Sequence, residues 1–473
     1  MNPQDLRRLL VAGSAIAAIG LGVRSTFGLF LNDINAALDA DTATFALAIA
    51  IQNLIWGLGQ PVAGSIADRF GSARVLAGGA LLYCAGVVLM ATADSPAQLY
   101  LSGGFVIGVG LAATSFSVVL ASIGRHYPPE QRPKALGITT AVGSGGQFVF
   151  VQVANRIEAA SDWQAALVAL GITTLAIAAL ARPLRGNATA ISTSSIDSGS
   201  VGATGQPAHE PAETLRAAIG RASVNRSYLL LCAGFFVCGL HVTFIGTHLI
   251  PFLEAEAVSD SVAGLAWALV GLTNIGGSYL AGVLGTRHSK ARLLALIYGA
   301  RGVVITAFVV LPTSDLTVVG FGALIGVLWL STVPLTGAIV AQQFGTRHSG
   351  TLFGIVFLSH QVGAFAGAYG GGWLADRTGD YTASWWVAVA FAIGAAVVNL
   401  FIDEGPQPLA PAPRRGPVLR VARPAAGLGA VSLFAILSLT TTPNAAAAAT
   451  DAGSTNAFDR PAIICLLPHP GPR

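Results

Sequence analysis

Continuously apolar stretches of about 20 residues recur along the chain, separated by short polar turns. Windows of roughly 19 residues mark residues 9–31, 44–67, 74–93, 97–123, 134–155 and 163–181, and then 228–253, 261–285, 291–312, 315–341, 350–374 and 382–402. Each is long enough to cross about 30 Å of hydrocarbon as a helix. A membrane β-strand would alternate apolar and polar side chains over roughly 10 residues, and these segments do not alternate. Lipid offers no partner to a backbone amide, so a spanning segment must bond to itself, as a helix does. The pattern predicts an all-α membrane protein of twelve transmembrane helices in two pseudo-symmetric six-helix bundles.

The periodicity lapses twice. Residues 183–226 contain GNATAISTSSIDSGSVGATGQPAHEP, whose small polar composition reads as a flexible cytoplasmic linker. Its Asn187-Ala188-Thr189 sequon has no meaning on that side. The linker separates a bundle at 1–182 from a bundle at 227–403. After Glu404 come Pro/Arg-rich residues, an apolar run Ala425–Leu439 and an Ala-rich stretch. That is the order of a secretory signal at the opposite end of the chain. Residues 404–473 read as a low-complexity, disordered tail outside the mechanism, with a thirteenth span as the alternative.

The halves also repeat. Ile107-Gly108-Val109 returns as Ile325-Gly326-Val327, and Arg69 and Arg74 return as Arg287 and Arg292, all at an offset of 218. Thr26-Phe27 returns as Thr243-Phe244, and Gly137-Ile138 as Gly354-Ile355, at 217. Duplicated units with a site between them are one way to build a transporter.

Composition narrows the function. Charged residues are 10% of 473 and apolar residues 53%, too few charges to cover a soluble fold of this size. A soluble enzyme, a disordered chain and a nucleic-acid binder are excluded. The net charge of +4 is no phosphate-binding surface. Cys84, Cys232, Cys238 and Cys465 form no disulfide framework and read as free thiols. Glycine, at 57 residues, lets membrane helices approach closely. With the first residue in the cytoplasm, sixteen Lys and Arg fall in inner segments before the tail and two, Arg156 and Arg377, in outer loops. That bias puts both termini inside, in the plasma membrane.

Between spans two and three the chain reads Gly64-Ser65-Ile66-Ala67-Asp68-Arg69-Phe70-Gly71-Ser72-Ala73-Arg74. This resembles the loop signature G-x-L-A-D-R-x-G-x-(R/K) of the major facilitator superfamily. Gly282–Arg292 is a degenerate copy with Thr286 at the Asp position. The resemblance covers residues 1–403 and implies an alternating-access carrier of a small solute, with or without a proton, acting as a monomer in the bilayer. Gly64, Asp68, Arg69, Gly71 and Arg74 are the gating candidates. Gly64 lets two helix ends meet, and Asp68 accepts from Arg69 or Arg74, or from amides at a neighbouring helix N-terminus. Gly371–Tyr381 and Trp385-Trp386 look like bacterial members near the monocarboxylate and oxalate/formate branch. That branch often carries a basic residue in the eighth span, where this chain has Asn274. The charge-free stretch Gly104–Ser122 counts against proton-coupled drug antiporters.

Charge inside a membrane costs about 2.5–3.5 kcal/mol on insertion scales and marks candidate sites. Arg24 and Arg301 lie within spans, neither with an acid at i±3 or i±4. Arg24 is the leading substrate ligand, since a guanidinium grips a carboxylate bidentately. The first span also lines the cavity in the resembled family. Its repeat mate is His241, predicted to face it across the pseudo-twofold axis. Arg301 is expected to bond a neighbouring helix. His241 and His360 are candidate proton carriers, and His248 is structural. Gln147, Asn274 and Gln361 complete the candidate substrate site, with Gln52 and Asn53 as further polar groups and Trp56 and Phe148 as walls. No phosphate loop, HExxH, paired CxxC or nucleophile elbow occurs, so no catalytic residue, metal or cofactor is expected. The sequence favours a carrier of an organic anion. It leaves open efflux of amphipathic compounds, and a receptor that binds without translocating.

Overall fold

The computed structural model describes residues 2–40, 42–185 and 213–407. Cys465, the Asn187 sequon and the predicted tail from residue 408 onward lie outside the described residues. Among the described residues, twelve helices are long and apolar enough to cross a membrane. They are α1 Pro3–Ala37, α2 Thr44–Phe70, α3 Ser72–Ala91, α4 Pro96–His126, α5 Arg132–Ala160, α6 Trp163–Leu180, α7 Arg226–Ala255, α8 Asp260–Leu284, α9 Lys290–Val310, α10 Asp315–Phe344, α11 Ser349–Thr378 and α12 Thr382–Leu400. They form two six-helix bundles. Leucine, valine and phenylalanine stand exposed on the outer faces, as at Leu54, Leu81, Val303 and Leu324, a surface that suits hydrocarbon rather than water.

Polar residues set the helix starts. Asn2 caps α1 by accepting from the Asp5 amide at 2.8 Å, with Pro3 at the first helical position. Asp162 caps α6 at 2.7 Å, Asn225 caps α7 at 2.8 Å and Ser289 caps α9 at 3.2 Å. Each satisfies an amide that has no partner within its own helix. Between α2 and α3 the chain turns on a single residue, Gly71, at φ 92°, a conformation glycine adopts without steric cost.

Three helices are less regular than their hydropathy predicts. α1 passes through a 3₁₀ turn at Phe27–Phe30. α4 opens through a π-helical turn at Tyr100–Val106 and breaks between Ala113 and Phe116. α10 breaks between Leu328 and Thr332. Thr114 and Thr332 differ by the repeat offset of 218, so the two breaks are repeat mates. The stretch predicted as linker is also not uniformly irregular. Residues Leu215–Ser223 form a helix capped by Thr214, with Ala218 and Ala222 buried.

The halves meet along two seams, α2 against α11 and α5 against α8. Both are glycine contacts. A Cβ on Gly137 would lie 2.7 Å from Gly282 Cα. A Cβ on Gly64 would strike the Gly350 carbonyl and lie 2.8 Å from the Thr351 nitrogen.

Candidate functional site

Polar side chains gather at two levels of the α2–α11 seam. The first includes Arg24, half-buried on α1. Its Nη2 donates to Asn53 Oδ1 on α2 at 2.6 Å, and its guanidinium carbon lies 4.8 Å from the Trp56 ring centre. Arg24 Nε is buried without a partner, and among the described residues no carboxylate lies within ion-pair distance of the group. From α11, Gln361 reaches the Asn53 carbonyl at 3.5 Å, and its Oε1 lies 3.1 Å from His360 Nδ1. The His360 ring stacks on Phe357 at 5.0 Å, and Phe357 meets Trp56 at 5.6 Å. Arg24, Trp56, Asn53, Gln361 and His360 thus form a cluster drawn from both halves: a cation held by a neutral amide and an aromatic face, beside two further polar groups. A planar anion can replace the amide at such a guanidinium, gaining charge-assisted bonds.

Other predicted ligands lie elsewhere. Asn274 is held by three bonds: its Nδ2 donates to Ser144 at 2.8 Å, and its Oδ1 accepts from Ser278 at 3.1 Å and from the Leu330 amide at 3.0 Å. It joins α8 to α5 across the second seam and closes one amide of the break in α10. Gln147 touches the first level through its backbone, whose carbonyl accepts from Ser25 at 3.4 Å. His241 does not face Arg24. It turns toward α12, where its Nε2 pairs with the Ala388 carbonyl at 2.9 Å, because α12 packs along that side of α7. Phe148 is exposed. His248 bonds the Ala368 carbonyl at 2.8 Å. Arg301 bonds a neighbouring helix, donating to the Leu328 and Trp329 carbonyls on α10 at 2.6 Å each. There it caps the half-helix that ends at the break.

The second level is the loop signature. Asp68 accepts four bonds: from Arg125 Nη1 at 2.8 Å, the Gly350 amide at 3.2 Å, the Thr351 amide at 2.8 Å and Thr351 Oγ1 at 2.9 Å. Three of these come from the N-terminus of α11 in the other half. Neither Arg69 nor Arg74 supplies the ion pair that the sequence predicted. Arg69 is exposed with its guanidinium 5.0 Å from the Phe70 ring centre, and Arg74 Nη1 lies 3.5 Å from the Phe70 carbonyl. The partner is Arg125, which sits on the last turn of α4 and also donates to Ser72 at 2.6 Å. In the sequence Arg125 is one of the sixteen Lys and Arg assigned to inner segments, with nothing in its immediate neighbours to set it apart. The signal for it was its place on the last turn of an apolar helix whose residues Phe116–Arg125 are all buried.

No group of three His, Cys, Asp or Glu side chains among the described residues is placed to hold a metal. Known proteins agree with the architecture. A Bacillus subtilis protein described as the uncharacterized MFS-type transporter YcxA is 26% identical over 405 residues, covering 82% of this chain and 94% of its own length. Monocarboxylate transporter 13 of Rattus norvegicus is 27% identical over 404 residues, covering 82% and 86%. Among solved structures, the proton:xylose symporter XylE bound to 6-bromo-6-deoxy-D-glucose matches with a TM-score of 0.68 at 14% identity, over 86% of this chain and 98% of its own. The E. coli fucose:proton symporter FucP matches with a TM-score of 0.64 at 13% identity, over 83% and 98%; at such identities the likeness concerns the fold. The sequence profile of the Major Facilitator Superfamily matches residues 11–325 and 231–450, and with twelve helices in two bundles the chain belongs to that superfamily.

Proposed function

We propose that this chain is a secondary carrier that moves a small carboxylate across the plasma membrane by alternating access. The observation that carries this reading is Arg24, a guanidinium within a membrane span whose nearest partners are a neutral amide and an indole face. A cation within a membrane span without a fixed counter-charge is costly, and an anionic solute that binds there offsets that cost. The solute sits between Arg24 and Asn53 of one half and Gln361 and His360 of the other, so it bridges the surfaces that must part. Similarity to a monocarboxylate transporter supports the same substrate class. The excess of Lys and Arg in the loops that carry Asp68 and Arg125 supports cytoplasmic termini. On that topology the Asp68 cage is the inner gate. Its charge stabilises the closed seam through the α11 N-terminus, and it must release Gly350 and Thr351 in each cycle.

The test is counterflow of radiolabelled lactate, pyruvate and oxalate in proteoliposomes. Arg24→Ala is expected to abolish exchange. Arg24→Lys retains the charge but loses the bidentate grip, and a lost charge-assisted bond of about 1.5–3 kcal/mol corresponds to an affinity loss of roughly tenfold to a hundredfold. Full carboxylate exchange by Arg24→Ala refutes the assignment. An Arg24→Ala protein that still exports amphipathic dyes supports the efflux reading, which the Trp56, Phe357 and His360 rings would serve. Saturable binding without flux in the unaltered protein identifies a receptor.

A further inference from the structure

The break in α4 gathers buried hydrogen-bond donors around one point. Past the break the helix restarts as an eleven-residue segment, Phe116–His126. Its first bond runs from the Val119 amide to the Ser115 carbonyl, so the amides of Phe116, Ser117 and Val118 lie ahead of its ladder. Ser115 holds the capping position in extended backbone, but its hydroxyl caps none of them. That hydroxyl lies 2.7 Å from Ser117 Oγ, which donates to Gln60 Oε1 on α2 at 2.5 Å. A hydroxyl carries one proton, so Ser115 donates to Ser117, and both protons are spent within this chain of three. Gln60 is 0% exposed, and its Nε2 has no partner among the described residues. The repeat mate of the break shows one way such a place is filled. In α10 a resident oxygen, Asn274 Oδ1, enters the break and takes the Leu330 amide. The first-half equivalent of Asn274 is Trp56 at an offset of 218 and Gly57 at 217, and neither side chain has an oxygen to offer.

We propose that the α4 break is a second carboxylate station of this carrier, between Arg24 and the Asp68 cage, with Gln60 Nε2 and the Ser117 and Val118 amides as its donors. This rests on the carrier reading above and adds a site to it. A carboxylate has two oxygens, which can accept from the side-chain amide and from the helix start together. The start of a helix carries partial positive charge and suits an anion, and broken membrane helices present such ends to anionic solutes. The location suits transit. A Cβ on Gly20 would lie 3.8 Å from the Thr114 carbonyl, so α1 passes the break about one turn before Arg24. On α2, Gln60 comes seven residues after Asn53 and eight before Asp68, about 10 Å and 12 Å at the helical rise. At that height α11 closes on α2 through Gly354, whose Cβ would lie 2.8 Å from the Gln60 carbonyl. Release of Gly350 and Thr351 from Asp68 uncovers this stretch of the seam. A carboxylate leaving Arg24 then exchanges a guanidinium for neutral donors, which hold it more weakly than a charge does. It is passed on rather than trapped.

Two measurements test this. The first needs no flux. Lactate labelled with carbon-13 at its carboxyl is added at saturation to protein labelled with nitrogen-15 in its glutamine side chains, and solid-state NMR records dipolar contacts between the labels. The expected result is a contact that disappears in Gln60→Leu and persists in Arg24→Ala. Gln60→Glu, close in shape, removes the same nitrogen should Gln60→Leu fail to fold. Absence of this contact in the unaltered protein, as for a break filled by water only, overturns the station and leaves the Arg24 assignment standing. Its loss in Arg24→Ala merges the two sites and also overturns it. The second reads lactate affinity by counterflow from each face in turn. Gln60→Leu keeps the bulk of the side chain and removes its N–H donors. Half-saturating lactate at the face closed by Asp68 should rise by roughly tenfold to a hundredfold relative to the other face, the worth of one hydrogen bond to a charged acceptor. An equal shift at both faces, or none, overturns the proposal.

Discussion

Consider the hydroxyl of Thr351. Of the four bonds that Asp68 accepts, the one from Arg125 lies within the first half and persists whichever way the halves tilt. The other three cross the seam from Gly350 and Thr351. Opening the seam at this end breaks these three and leaves the ion pair. Thr351→Val keeps the side chain's shape and removes the hydroxyl donor. A hydrogen bond to a charged acceptor is worth about 1.5–3 kcal/mol net. Because both partners rehydrate on opening, the lower figure applies, and the open form gains about tenfold in population. Asp68→Asn is the contrasting perturbation. It removes the counter-charge of Arg125, whose side chain is 2% exposed, and stranding one member of a buried pair costs about 3–5 kcal/mol in either state. Hydrogen exchange in nanodiscs separates the two effects. In Thr351→Val, amides at the start of α11 should exchange about tenfold faster with little loss of thermal stability, since exchange follows local opening. In Asp68→Asn the same amides should speed up and the unfolding temperature should fall. If Thr351→Val leaves exchange at Gly350–Phe353 unchanged, the cage does not control opening, and the gating role is wrong however unstable Asp68→Asn proves.

Gly64→Ala should open the same seam by a different route, since its Cβ meets the Gly350 carbonyl; faster exchange on both α2 and α11 ends checks it. Asn274→Leu should lower the unfolding temperature whether or not a carboxylate is present, through loss of three bonds and an unpaired Leu330 amide, a cost of about 1–3 kcal/mol for that amide. Glu404 accepts from Ser289 Oγ at 2.6 Å and the Ala291 amide at 2.8 Å, closing the start of α9 from 113 residues away. Glu404→Ala should cost about 1 kcal/mol, read as faster exchange of the first turn of α9.

The sequence carries the twelve helices plainly, because a segment in lipid must be both apolar and long, and both properties are local. It carries the Asp68 cage in part. Asp68 stands out as an acid among basic loop residues, yet its partner Arg125 lies 57 residues away and resembles every other topogenic cation until α4 folds against α2. The same limit explains Asn274 and His241. Hydropathy marks them as costly groups, but only packing decides whether a neighbouring helix satisfies them. Asn274 finds Ser144 and the broken turn of α10, and His241 finds the Ala388 carbonyl. Arg24 differs because its neighbours leave its charge unbalanced. The breaks in α4 and α10 escape hydropathy altogether, since breaking a helix changes no side chain's polarity.

Both levels of polar residues lie along one pair of helices, α2 and α11, with Arg24 added from α1 and Arg125 from α4, and this has a mechanical consequence. Asn53, Gly57, Gln60, Gly64 and Asp68 recur every three or four positions along α2 and so share one face. That face meets Gln361, Gly354, Gly350 and Thr351 on α11. Asn53 and Asp68 are 15 residues apart, about 22 Å at the helical rise. The seam is closed by small residues rather than interlocked side chains, and a Cβ on Gly354 would lie 2.8 Å from the Gln60 carbonyl. Such a surface holds two rigid rods close without a knob to resist tilting. Rocking about the middle of the pair would part Gly350 and Thr351 from Asp68 while pressing Gln361 toward Asn53 and Arg24, and the reverse rock would do the opposite. A solute that bridges Arg24 and Gln361 tightens that end of the pair, and the energy it supplies acts directly against the three seam bonds of Asp68. Thr351→Val lowers that opposing energy without touching the solute contacts. It should therefore raise carboxylate affinity measured from the inner face and lower it from the outer face, and equal affinities from both faces would uncouple the two levels.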